Sequence, residues 1–269
     1  MKSIAQGHEL IFFPRNSIQH LKVTTSIIII LLVTGCGLDV EDATPPEAPV
    51  WVPKSAPMVW PETGIDAHES GGIVLEWYGG DEDVEKYRVY RAQDIQPADS
   101  LSDFQPIDEV LIETITDKYT YLDEITQEDV RYHYYLRARD HAENWSETSD
   151  TLDYLRLRAV SSSSMVPNGT DDTLVLSRFL KWGYSYLVAM EDYVLTILTM
   201  ENDLIYRTQF TPSNYIGSRE SFYLPDSVAL ESERTYQWRV DVHAKYVREF
   251  ESSSGESPWA TFTYMHEYD

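Results

Sequence analysis

With a single cysteine in 269 residues, Cys36, this chain has no pair from which to build an internal disulfide. Its longest apolar run, Ile27 to Val33, falls well short of the roughly 20 residues that a bilayer-spanning helix needs. Positive charge is scarce: 21 Lys and Arg stand against 45 Asp and Glu, a formal net charge of −24. So acidic a surface repels anionic headgroups and excludes nucleic acid as a partner. Catalytic signatures are missing too. Beyond the first 35 residues the histidines are His68, His133, His141, His243 and His266, none in H-x-H or H-E-x-x-H spacing, so no metal site is expected of them. Neither G-x-S-x-G nor a glycine-rich phosphate loop occurs. No cofactor is expected, and an enzyme is disfavoured.

The excess acid has a plain reading, a solvated surface, and a sharper one, a cation-binding surface. The acids are scattered through many segments, which favours the first. Asp81, Glu82 and Asp83 in "GGDEDVE" (79–85) could offer loop carboxylates to calcium, but the alternating spacing of a dedicated calcium loop is absent. A solvated turn is the preferred reading.

What is present begins with the surroundings of Cys36. The run Ile27 to Val33 has the length of a signal-peptide core, with Lys2, Arg15 and Lys22 before it. A lone cysteine is often a buried thiol, yet Cys36 is followed by a segment with nothing to bury it. Val33-Thr34-Gly35-Cys36 resembles the lipobox of bacterial lipoproteins. That resemblance implies cleavage before Cys36, lipid on its sulfur, and attachment to a membrane through that lipid. Two or more acyl chains anchor a protein stably. Gly37, where an aspartate would signal inner-membrane retention, points to the outer membrane. Residues 1–35 are then a signal peptide. Residues 36–49, acidic and rich in proline, form a lipidated extended tether.

After the tether, short alternating segments recur with turn signals between them, the pattern of an all-β antiparallel sandwich. "GIVLEW" (72–77) sets Ile73, Leu75 and Trp77 on one face, and "YHYYLRA" (132–138) does so with Tyr132, Tyr134, Leu136 and Ala138. The run "YHYYLRARDHAENWSETSD" (132–150) resembles the last two strands of a fibronectin type III domain. Trp77, Tyr87 and Tyr132 match its core tryptophan, third-strand aromatic and corner tyrosine, while Glu143 stands where that family usually has glycine. The resemblance implies one such domain over residues 50–158.

A second pass follows the serine-rich segment "VSSSSMVPNGTDD" (160–172), read as a hinge. In "LESERTYQWRVDVHA" (230–244), Leu230 precedes Tyr236 by the family's corner spacing, and Tyr236, Trp238, Val240 and Val242 alternate inward. Residues 159–269 thus resemble a second fibronectin type III-like domain, in tandem with the first.

Seven Trp and nineteen Tyr exceed what two small cores obviously need. Trp77, Trp182 and Trp238 fit cores. Trp51, Trp60 and Trp145 are the candidate binding aromatics, for a protein partner or for stacking on sugars; the competing reading has them pack domain ends and the junction between domains. The sequence therefore points to a non-enzymatic, membrane-anchored surface lipoprotein serving as spacer and protein-interaction module for another envelope protein. The alternative is a glycan-binding accessory lipoprotein of a polysaccharide-uptake system.

Overall fold

A computed structural model describes residues 43–266 apart from 96–99, 170, 175–177, 185–189, 212–217 and 245–252. Thr44–Asp269 forms one compact unit. Cys36 and the signal-like segment lie outside the described residues. Among those described, no helix is long and apolar enough to cross a membrane.

The compact unit is all-β and holds two hydrophobic cores. In the first half, β1 (Asp66–His68), β2 (Gly72–Tyr78) and β6 (Lys118–Asp123) make one antiparallel sheet in the order β1-β2-β6. Facing it, β5 (Gln105–Leu111), β3 (Val84–Ile95), β7 (Val130–Asp140) and β8 (Leu152–Arg156) pair in that order, with β4 (Ser100–Leu101) on the far end of β3. The three-on-four layering is a fibronectin type III-like sandwich. Its core follows from the alternation: Ile73, Leu75, Trp77, Tyr87, Tyr134 and Leu136 have no exposed surface. The Trp77 ring meets Tyr87 edge-on at 5.3 Å.

The second half repeats the plan. β10 (Phe179–Tyr184) pairs with β13 (Ser218–Tyr223), while β12 (Leu204–Phe210), β11 (Met190–Thr199) and β14 (Thr235–Ala244) form the opposing sheet. β14 also pairs antiparallel with β15 (Ser253–Glu256) and β16 (Ala260–Tyr264), and β16 pairs in parallel with β9 (Thr173–Leu174). Trp182, Trp238, Val240 and Phe262 fill this core. Each half carries the expected corner: Gln127 N–H donates to the Tyr132 hydroxyl at 2.8 Å, and Glu231 N–H donates to the Tyr236 hydroxyl at 2.8 Å. Glu143 has φ 71°, the left-handed region where glycine is preferred, and it pairs with Arg139 at 2.8 Å.

Two segments differ from expectation. The serine-rich stretch read as a hinge is packed: Val160 and Met165 are core residues, Ser162–Ser164 forms a 3-10 turn, and Val166 bridges to Lys181. Part of the stretch read as tether is docked as well, with Pro46 and Pro49 buried and the Glu47 amide bonded to Asp81 Oδ2 at 3.2 Å.

The two halves share a sheet. β8, the edge of the first sandwich, runs parallel to β15, with Leu155 beside Ser253 and Arg156 beside Ser254. The path β12-β11-β14-β15-β8-β7-β3 lies within one sheet of eleven strands. Leu157 N–H extends the joint to Ser254 O at 2.9 Å. Gly255 is what lets the backbones close: a Cβ there would sit 2.7 Å from Leu157 O and 2.8 Å from Arg158 O.

Candidate functional site

The densest chemistry lies where the sandwiches meet. The loop 53–65 leaves the first sandwich and covers the outer face of β12, β11 and β14. Strand register sets what it meets there. Arg207 on β12 and Arg239 on β14 both lie opposite Thr196 on β11, so the two guanidiniums share one cross-strand row. The Trp60 ring sits over both, 5.3 Å from Arg207 and 5.4 Å from Arg239, and meets Trp259 edge-on at 6.1 Å. Arg207 Nη2 also donates to Pro57 O at 2.6 Å and pairs with Glu62.

Beside this row is a ring of acids. Glu256 on β15 takes two bonds from Arg239, at 2.6 and 2.8 Å. Asp241, fully buried, lies 3.1 Å from Arg239 Nε and 3.9 Å from Arg207. Asp66, opening β1, lies 2.7 Å from Lys54 and accepts from the Tyr154 hydroxyl at 2.7 Å and the Ser254 hydroxyl at 2.9 Å. That last bond ties the two sandwiches directly. A cavity of about 190 Å³, lined by Trp60, Glu62, Asp66, His68, Arg239 and Glu256 among others, adjoins the ring.

Enclosure sets the protonation. Burial, then a hydrogen bond with Asp66 and repulsion from Asp66, Asp241 and Glu256, push the Glu62 carboxyl up to about 10. Burial also raises Glu256 and Asp241, against the pull of Arg239. Burial would raise Asp66 too, but Lys54 and its hydrogen bonds outweigh that and hold it below the ordinary value.

Glu62, Asp241 and Glu256 have carboxyl oxygens within 4.8 Å of one another, the sole such trio among the described residues. The set does not suit a metal ion. Arg239 occupies both oxygens of Glu256, and Arg207 takes one from Glu62. A cation there would face guanidinium on two sides.

The sequence-derived candidates are dispersed. Trp51 is buried, edge-on to Trp77 at 6.5 Å, and its Nε1–H donates to Asp150 O at 2.8 Å, so its ring belongs to the first core. Trp60 is the junction residue just described. Trp145 lies under Arg88 at 4.3 Å, with Arg137 and Arg139 alongside. The three do not share a face. Asp81, Glu82 and Asp83 are exposed in a turn. His133 is half-buried against Asp94 at 2.8 Å, and His68 Nδ1 closes a turn with the Ser70 hydroxyl at 2.7 Å. The sequence reading missed Glu62, Asp66, Arg239, Asp241 and Glu256. Arg239 and Asp241 alternate with core residues, which marks them as outward, and outward charge reads as solvated.

No family model matches the chain, and no curated protein matches it. Among solved structures, "Crystal structure of chicken CNTN1 FN1-FN3 domains" is similar over 83% of this chain and 68% of that one, with 14% identity and a TM-score of 0.30. Similarity at that level carries no argument; the fold rests on strand order, cores and corners.

Proposed function

We propose that this protein is a non-enzymatic envelope lipoprotein, held to the membrane by lipid on Cys36, whose joined sandwiches act as a stiff spacer and interaction module. The observation that carries the reading is the joint itself. A sheet running through β8 and β15, locked by the buried Arg207–Glu62 pair and the Ser254–Asp66 hydrogen bond, resists bending where tandem domains ordinarily flex. A spacer needs that stiffness; an enzyme would need a cleft with convergent, accessible groups. The ionisable groups gathered at the junction are instead buried against one another as ion pairs. Placement of the three tryptophans in a core, a junction and an arginine stack favours protein contact over a sugar-stacking platform, which requires aromatic rings exposed on one face.

Two measurements test this. Small-angle scattering of the full chain in detergent should fit one rigid two-sandwich body; a flexible pair would overturn the spacer reading. Cross-linked, gently solubilised envelopes should yield an envelope protein near one-to-one with the tagged chain. Recovery of polysaccharide with no protein partner would replace the reading with the glycan-binding one.

A further inference from the structure

The junction encloses more acid than base. Four carboxyl groups, Glu62, Asp66, Asp241 and Glu256, face three cations, Lys54, Arg207 and Arg239. Glu62, on the loop of the first sandwich, brings a carboxyl oxygen within 4.8 Å of those of Asp241 and Glu256 on the second, and neither oxygen of buried Asp241 receives a hydrogen bond, a bond that an ionised Glu62 cannot supply. One proton supplies the missing bond and balances the charge. The groups facing Glu62 come from every element around it. Lys54 lies on its own loop and Asp66 on β1; Glu69 and His68 flank the following turn. Glu76 on β2 accepts from Gly64 N–H at 2.5 Å. Arg207 on β12, Arg239 and Asp241 on β14, and Glu256 on β15 complete the shell, with Tyr154 of β8 behind Asp66.

We propose that a proton held among Glu62, Asp241 and Glu256, across the junction, latches the two sandwiches together, so that parting them releases the proton and the junction loosens as pH rises. The linkage has a definite sign. Closed, Glu62 is pushed up to about 10; open to water, it returns to its ordinary value of 4.5. Between those limits only the closed form holds the proton, so the opening constant rises about tenfold per pH unit for one proton released. Glu256 and Asp241, also raised, can only steepen the slope in that window. Below 4.5 and above about 10 the contribution of Glu62 is flat. The spacer is thereby stiff in mild acid and increasingly able to hinge toward alkaline pH. This inference rests on the stiff-joint reading but not on envelope placement.

The test is amide exchange of the full chain from pH 6 to 9, corrected for the intrinsic rate. The reporter is Leu157 N–H, which bridges the joint to Ser254 O. Its protection should fall about tenfold per pH unit, while amides between β3 and β7 keep theirs. Glu62→Gln, which retains the neutral form, should flatten the Leu157 profile. A pH-independent Leu157 in the unsubstituted chain overturns the latch whether or not the variant folds. So does an equal slope in both chains. Calcium that restores protection at pH 9 would also overturn it, by showing that a cation fills the place of the proton. Scattering at pH 6 separates the two readings. A rigid body with pH-independent exchange removes the latch and leaves the spacer; a flexible one removes both.

Discussion

Arg239 and Glu256 form a doubly bonded ion pair, 2.6 and 2.8 Å, shut between two β-sandwiches with neither side chain more than 6% exposed. Their strands belong to the second sandwich, but the lid over them comes from the first. Breaking such a pair leaves a charge stranded in a low-dielectric site, which costs far more than the intact pair contributes.

Arg239→Met should therefore lower stability by about 3–5 kcal/mol, measured by urea unfolding. Adding Glu256→Gln to that background should recover part of the loss, because the stranded carboxylate is gone. A single substitution that leaves the unfolding midpoint in place would show that the site is hydrated.

Gly255→Ala should strain the joint between β8 and β15, where a methyl would meet two carbonyl oxygens under 3 Å away. A cost of about 1–3 kcal/mol is expected, with faster exchange at Leu157 and unchanged exchange inside each sandwich. Uniform loss of protection everywhere would mean that the sandwiches unfold together rather than part.

Tyr132→Phe and Tyr236→Phe each remove one corner hydrogen bond, so each should cost about 1 kcal/mol by calorimetry. The corners sit in different sandwiches and share no partner, so the double variant should show the sum. An unchanged melting temperature for either would deny that hydroxyl a structural part.

Cys36→Ser should leave the precursor unprocessed and without lipid, read by mass spectrometry and membrane fractionation. Processing and membrane retention as in the unsubstituted chain would end the anchor proposal.

Much of the fold was legible because each strand writes its core side in a period of two. Trp77, Tyr132, Tyr236 and Trp238 came out of that alternation, Tyr87 from the family resemblance and Trp182 as a core-like aromatic, and all six are buried. The corner at Tyr236 was visible from its spacing to Leu230. The site was another matter. Trp60 showed as a surplus aromatic, with contact at a domain junction as one reading, but its arginine partners lie about 150 and 180 residues away along the chain. The serine-rich stretch at 160–172 misled, since small polar residues suit a packed turn, as at Ser162–Ser164, as well as a hinge.

By itself, then, the sequence determined an acidic all-β chain with two cores, because inward alternation is local and survives whatever surrounds the strand. Only the tertiary structure decided what covers the opposite faces. Arg239 and Asp241 point away from their own core and would be solvated on a lone sandwich. They are buried because the 53–65 loop of the other sandwich lies over them and Gly255 lets two strand edges close into one sheet. Periodicity specifies which side of a strand meets its own core; it carries no information about a neighbour that arrives from elsewhere in the chain.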